Sequence, residues 1–428
     1  MKIKVKQKDY SEVLAIKQNK SIKPWRTMVI FRVLLVILCF FELLITRFKL
    51  KKINMDKLGK REPCLYLMNH SAFIDAKIAS CILFPRAFNI IASTDAFIGK
   101  NLIMRLIGCV PARKYIADTR LVKDMLYCAR KLKSSILMFP EAGYSFDGTA
   151  TTLPESLGKC IKLLNVPVVM IRTYGAFARD PLYNGLQLRK VRVRAEMEYL
   201  LSPDDISKMS ADEINSIVHK QFASIDNFRW QQENEIFIDE KFRADGLNRV
   251  LYKCPHCLTE GKMIGKGTIL RCDHCNKEYE LTELGYLKAL NGETEFAHIP
   301  DWYKWERECV RKELEDGTYK LDTEVDICTI VDTKCVYNIG SGRLVHDIGG
   351  FHLEGCNGRL DYHQKPLATY CINADYLWYE IGDMISIGDK NAFYYCFPKT
   401  CGDIVTKTRL AAEELYKLSK LSKDNNSK

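Results

Sequence analysis

The sequence predicts an α/β domain with a largely parallel sheet flanked by helices, followed by a zinc ribbon and a β-rich C-terminal domain. Three observations carry this. Short apolar runs alternate with helix-period segments between Cys64 and Ala223. Two Cys-x2-Cys pairs then follow, Cys254/Cys257 and Cys272/Cys275. Beyond Leu281 the pattern turns to β-type runs broken by glycine turns. A chain of 428 residues is too long for one ordinary domain. The divisions expected are a basic segment over 1–52, the α/β domain over 53–245, the ribbon over 250–282 and the β-rich domain over 283–428.

Met28 to Ile45 is nearly all apolar, interrupted by Arg32 and Glu42. A spanning helix needs about 20 mainly apolar residues, and a central charge is costly. The segment is therefore read as a helix lying in a membrane interface; a core helix and a true span are the alternatives. Residues 1–60 hold 15 Lys/Arg against four Asp/Glu, an excess equal to the whole net charge of +11. Lys23, Arg26, Arg47, Lys49, Lys51 and Lys52 flank the apolar run, and each is worth roughly 1 kcal/mol against anionic lipid. A basic terminus on a neutral body implies one anionic partner surface, lipid or nucleic acid. The 17 cysteines are mostly scattered and no signal peptide is visible, so reduced thiols in the cytosol are expected.

Strands are predicted at Cys64–Met68, Phe88–Ala92, Ile136–Phe139 and Val166–Ile171, with helices at 118–132, 154–164 and 211–223. Val191 to Tyr199 alternates apolar and charged residues, which predicts a half-exposed strand near a sheet edge. In the C-terminal part the spacing predicts a helix from Trp302 to Glu313. Strands are expected at 325–331, 335–339, 350–353, 368–372, 376–381 and 392–397, and then a closing helix. Strands closed by one helix are reminiscent of a pleckstrin-homology-like barrel, an architectural likeness without a diagnostic motif.

The chemistry begins at His70. His70 and Asp75 form an H-x4-D pair directly after a predicted strand, where an open α/β sheet presents its catalytic groups. Imidazole is the natural base near neutral pH. A nearby carboxylate can accept its other N–H and stabilise the imidazolium. A helix-capping aspartate beside a structural histidine would give the same spacing. Four blocks in order set the pair in context: Asn69-His70-Ser71-Ala72-Phe73-Ile74-Asp75, Gly108-Cys109-Val110-Pro111-Ala112-Arg113, Phe139-Pro140-Glu141-Ala142-Gly143-Tyr144-Ser145, and Val166-Pro167-Val168-Val169 with Gly175. Over residues 25–245 the chain resembles the glycerolipid acyltransferases, specifically the lysophosphatidic acid acyltransferases.

That resemblance implies a donor (coenzyme A or acyl carrier protein thioester, or acyl phosphate) and a lysophospholipid acceptor, 1-acylglycerol-3-phosphate first among them, in phospholipid biosynthesis. It implies His70 and Asp75 as the catalytic pair, with Arg113, Lys114, Glu141 and Gly143 at the acceptor. The third block departs from the family's Gly-Thr-Arg, having Ala142-Gly143-Tyr144. Without that arginine, phosphate binding falls on Arg113, Lys114 or Arg172, or the acceptor is not a simple phosphomonoester. Arg113 reads equally well as a solvated charge, Glu141 as a helix-start carboxylate and Ser145 as a turn residue.

Cys254, Cys257, Cys272 and Cys275 have the spacing of a closed four-thiolate zinc site, a folding staple that leaves no open position for catalysis. His256 and His274 are bystanders in its knuckles. The ribbon lacks a row of aromatic and basic residues, so nucleic acid is not the expected partner. The expected location is the cytoplasmic face of the cell membrane, peripheral or monotopic. A non-catalytic lipid- or protein-binding scaffold on the same fold is the alternative to the enzyme.

Overall fold

The computed structural model describes residues 3–17, 22–116, 118–185, 187–400 and 404–426. The chain opens with β1 (Val5–Gln7) and α1 (Tyr10–Leu14). Both pack against the C-terminal half: β1 runs parallel to residues 336–338, and Tyr10 Oη lies 3.0 Å from Tyr394 Oη. Arg359 donates to both carboxylate oxygens of Asp9, at 2.9 and 2.6 Å. Part of the basic N-terminal segment is thus built into the C-terminal sheet.

Helix α2 (Val29–Ile45) has 17 residues and is about 26 Å long, short of the roughly 30 Å hydrocarbon core. No helix among the described residues is long and apolar enough to cross a membrane. The two charges inside α2 turn toward the protein: Arg32 donates to the Pro85 carbonyl, and Glu42 pairs with Lys77 and, at 2.8 Å, with Arg179. Cys39 and Leu43 are buried. The opposite face stays open, with Ile30, Leu34, Ile37, Leu38, Phe41, Leu44 and Ile45 all exposed.

The α/β unit follows: β2 (Lys49–Ile53), β3 (Leu65–Met68), α3 (Ile74–Ile82), β4 (Phe88–Ser93), α4 (Asn101–Leu106), β5 (Cys109–Ala112), α5 (Thr119–Arg130), β6 (Ser135–Met138), α6 (Leu157–Leu164), β7 (Val168–Tyr174), α7 (Ala176–Arg179), β8 (Arg194–Leu201), α8 (Pro203–Lys208), α9 (Ala211–Ala223) and α10 (Asn227–Glu233). The sheet order is β2-β8-β7-β3-β6-β4-β5, parallel throughout except at β7–β8. Alternation along β3 feeds two cores. Leu65 and Leu67 face α5, α6 and α9, while Tyr66 and Met68 face α2 and α3. The alternating strand β8 is one in from the edge, because β2 pairs outside it. Sequence patterning misses β2, whose Lys49, Lys51 and Lys52 read as lipid-facing charges; Lys51 also reaches Glu196 at 3.2 Å.

The ribbon strands β9 (Met263–Lys266), β10 (Ile269–Cys272), β11 (Glu278–Leu281) and β12 (Leu287–Ala289) form a small antiparallel sheet. Helix α11 (Ile299–Glu315) leads to β13 (Leu321–Thr329), β14 (Val336–Asp347), β15 (Gly350–Gly355), β16 (Leu360–Gln364), β17 (Asn373–Trp378), β18 (Gly382–Gly388), β19 (Phe393–Pro398) and the closing α12 (Ile404–Asn426). Their order is β16-β15-β14-β13-β19-β18-β17, antiparallel, with β1 against β14. Among the described residues no pairing joins β16 to β17, so the sheet path is open. The strand expected at 368–372 is a turn followed by β17, because Pro366 starts a short 3-10 helix.

One core runs from Phe146, Phe177 and Phe228 through Tyr279 and Trp302 to Leu353 and Leu410. The ribbon and the β-rich region are therefore not separate cores. They share one, and it reaches into α7, α10 and the loop at Phe146 of the α/β unit.

Candidate active site

His70 leaves β3 at its C-terminal end, and Asp75 sits in the first turn of α3. Asp75 is fully buried, so its charge needs donors. One carboxylate oxygen accepts the backbone N–H groups of Ser71 and Ala72, at 2.7 and 2.9 Å, and meets His70 Nδ1 at 3.4 Å. The other accepts the Thr173 hydroxyl at 3.0 Å. A carboxylate so held at a helix start is also favoured by the helix dipole. The turn from β3 to α3 brings the pair together as the H-x4-D spacing predicts.

The His70 ring lies between Phe139 and Tyr144, each with its ring centroid at 4.2 Å. Its side chain keeps 21% exposure. Burial lowers the His70 pKa below its ordinary value, opposed by the Asp75 contact. The Lys114 ammonium pushes in the same direction as burial. Both disfavour the charged form of the ring. With its proton on Nδ1 toward Asp75, Nε2 carries the lone pair a general base needs.

Glu141, expected at the acceptor, is instead occupied by the backbone. It is 1% exposed, and its oxygens accept the N–H groups of His70 at 2.8 Å and Thr151 at 2.7 Å. It locks the third block to the first. Burial pushes its pKa up to about 7 against those bonds. Gly143 is buried where a Cβ would come 2.9 Å from Tyr115 Oη, so a larger residue would have to push the tyrosine hydroxyl aside. Ser145 is a turn residue: its hydroxyl donates to the Thr149 carbonyl at 2.6 Å and accepts the Gly148 N–H at 2.9 Å.

The expected cations separate. Lys114 is brought near His70 and donates to Asn373 Oδ1 at 3.2 Å. Arg113 donates to the carbonyls of Asp389 and Lys390, between β18 and β19. Arg172 is turned to the far face of β7, where Glu198 at 2.8 Å, Glu196 at 3.3 Å and Gln221 take it. It is therefore spent on carboxylates away from His70 and does not serve as a phosphate-binding group.

The β-rich region closes this side of the site, which sequence reasoning misses. Trp378 Nε1 donates to buried Asp95 at 3.1 Å, Thr369 donates to the Tyr115 carbonyl at 2.9 Å, and Arg409 donates to the Tyr144 carbonyl at 3.2 Å. On β17, Asp375 has its pKa pushed up to about 7 by burial, opposed by Lys114. These partners lie 254–283 positions apart in sequence, so no local pattern announces them.

In the ribbon, Cys254, Cys257, Cys272 and Cys275 bring their sulfurs within 4.8 Å of one another. The Cys254–Cys275 and Cys257–Cys272 Sγ separations are both 3.7 Å. Four thiolates around zinc at about 2.3 Å have sulfurs about 3.8 Å apart, so the donor set fits a tetrahedral ion. His256 lies 3.3 Å from Glu295 and is not in the cluster.

Residues 49–173 match the acyltransferase family model. No curated protein matches the chain. Among solved structures, the 1-acyl-sn-glycerophosphate (LPA) acyltransferase PlsC from Thermotoga maritima is similar at 15% identity and a TM-score of 0.37, covering 45% of this chain and 76% of its own.

Proposed function

From the match of residues 49–173 to the acyltransferase family model, we propose that the protein transfers a fatty acyl group from a coenzyme A or acyl carrier protein thioester to a lysophospholipid hydroxyl. The first acceptor to test is 1-acylglycerol-3-phosphate. The observation that carries this is the His70 imidazole with its Nδ1 at 3.4 Å from a fully buried, backbone-held Asp75 at the end of a parallel strand.

The acceptor O–H gives its proton to His70 Nε2 as its oxygen attacks the thioester carbonyl carbon. Asp75 stabilises the imidazolium that forms. The tetrahedral intermediate collapses, the C–S bond breaks, and the proton passes from Nε2 to the leaving thiolate. The products are an ester and a free thiol, with no covalent enzyme intermediate. Lys114 is the cation positioned for an acceptor phosphate, and Arg113 is its neighbour. Glu141 holds the His70 backbone, while Gly143 packs against Tyr115, the residue after Lys114.

The open apolar face of α2 lies between the exposed basic residues Lys23, Arg26, Arg47, Lys49, Lys51 and Lys52. This supports an interfacial helix on the anionic cytoplasmic leaflet of the cell membrane, which would present His70 to lipid. The four cysteines would hold zinc as a structural staple. The meander of seven strands and its closing helix keep the pleckstrin-homology-like reading open to test.

The deciding experiment incubates purified full-length protein with labelled acyl-coenzyme A or acyl carrier protein and a panel of lysolipids. Product is expected from the wild type. His70→Ala should lose about 10²–10⁴-fold in rate. The burial of His70 between two rings favours a second reading, a non-catalytic lipid-binding scaffold. It would be supported by lipid binding with no product from any donor.

A further inference from the structure

The hairpin β15–β16 carries a second set of metal donors, at the edge of the C-terminal sheet. His352 and His363 are direct cross-strand partners, and Glu354 and Asp361 are the next pair on the same face. The two imidazoles stack with centroids 3.9 Å apart and planes 10° from parallel. Their Nε2 atoms converge on one carboxylate oxygen: Asp361 Oδ1 lies 2.8 Å from His352 Nε2 and 3.3 Å from His363 Nε2. Glu354 Oε1 lies 3.4 Å from His352 Nε2. The donors of His352, Asp361 and His363 all fall within 4.8 Å of one another.

The nitrogen–oxygen spacings of 2.8–3.4 Å suit a coordination sphere, and the stacked rings need only swing about their side-chain torsions to turn both Nε2 lone pairs onto one ion. Ligands bound at about 2.0–2.1 Å and set 90–109° apart are separated by about 2.9–3.4 Å. Two imidazoles and two carboxylates gathered on one face of a hairpin form a mixed N/O donor set. A dication uses every donor at once. The platform is fixed by the hairpin's register against β14, and its turn is anchored where Arg359 holds Asp9.

We propose that His352, His363 and Asp361, with Glu354 as fourth donor, bind a borderline transition-metal dication of the Zn²⁺ class. Two imidazoles with carboxylate suit Zn²⁺, Ni²⁺ or Cu²⁺, whereas Mg²⁺ and Ca²⁺ want more oxygen donors. His363 and Asp361 are each 66% exposed, so this ion exchanges with solvent, unlike one enclosed by the cysteine cluster. On an edge strand it would tie β16 to β15 and cover part of an open sheet edge.

The test is calorimetric titration of Zn²⁺ into the full-length protein, beside a His352→Gln/His363→Gln double variant. Both histidines are surface groups on a paired hairpin, and circular dichroism checks that the variant keeps the wild-type fold. The wild type should bind one equivalent more than the double variant, and Asp361→Asn should weaken that equivalent about tenfold or more. Mg²⁺ should give no matching heat. Equal Zn²⁺ stoichiometry in the wild type and the folded double variant would overturn the site, as would an equally tight response to Mg²⁺.

Discussion

At the scale of single residues, the site is decided by how buried polar groups are satisfied. Asp75 has four contacts and no exposure, so it can orient His70 without itself moving. Asp75→Asn keeps the shape but swaps an acceptor for a donor toward His70, favouring the wrong tautomer. Its rate should fall by about 10²–10⁴-fold, while circular dichroism stays native. The pH profile follows from the direction of the His70 shift. A base whose pKa is lowered stays neutral further into acid, so the acid limb of kcat/KM should lie below the ordinary histidine value of 6.5. An acid limb above 6.5 would contradict the lowering of the His70 pKa by burial. Glu141 teaches a different lesson. The third-block glutamate reads as an acceptor contact in sequence, yet its two oxygens serve the amides of His70 and Thr151. Glu141→Ala would strand two buried N–H groups, costing about 1–3 kcal/mol each, and should lower both melting temperature and rate.

At the scale of elements, α2 shows how a charged apolar segment can still offer a clean face. Arg32 and Glu42 are i and i+10, and both reach protein partners. The exposed residues at 30, 34, 37, 38, 41, 44 and 45 then form one stripe at helical spacing. Leu38→Glu with Phe41→Asp should weaken partition into anionic vesicles by at least about tenfold, read by flotation, and leave the melting temperature unchanged because neither side chain packs. Unchanged partition would reject the interfacial role. The stripe itself is legible in the sequence. The strand β2 that follows is not, because its lysines mask a pairing that only β8 supplies.

At the scale of the whole molecule, α12 ties the appended region to the α/β unit through buried charge. Glu413 is 2% exposed and accepts from Arg307 at 2.7 Å and from Thr152 at 3.1 Å, while Arg409 beside it donates to the Tyr144 carbonyl. Burial alone would raise the Glu413 pKa, but Arg307 and Arg409 hold it down at about 2, below the ordinary 4.5. A depressed carboxylate stabilises the fold fully above pH 4.5, and that stability is lost as pH falls toward 2. Glu413→Ala should cost about 1–3 kcal/mol in denaturant melts near neutral pH, because Arg307 keeps Glu414 and Arg409 keeps the Tyr144 carbonyl, yet each loses its shared buried carboxylate. The variant should also lose stability less steeply between pH 4.5 and 2. Metal removal tests the shared core. If the four cysteines hold zinc, a strong chelator should expose Tyr279 and Trp302, which pack against each other beneath the ribbon, and red-shift the tryptophan emission.

The sequence by itself determined whatever depends on local spacing: the strand–turn–helix that pairs His70 with Asp75, the turn at Ser145, the helix at 211–223, the apolar stripe of α2 and the four-cysteine cluster. Each is set within a few residues, or by ligand spacing that a small ion enforces. Only the tertiary structure decided where the cations go. Lys114 and Arg113 are neighbours in sequence, but β17 and the β18–β19 turn, more than 250 residues away, take one toward His70 and the other toward backbone carbonyls. Arg172 was lost to the opposite face by the two-residue alternation of β7 against β8. The hairpin's paired histidines, too, become neighbours only through register. Side chains meet across strands and domains by long-range packing, whose free energy is shared over a whole core and leaves no mark at any single position.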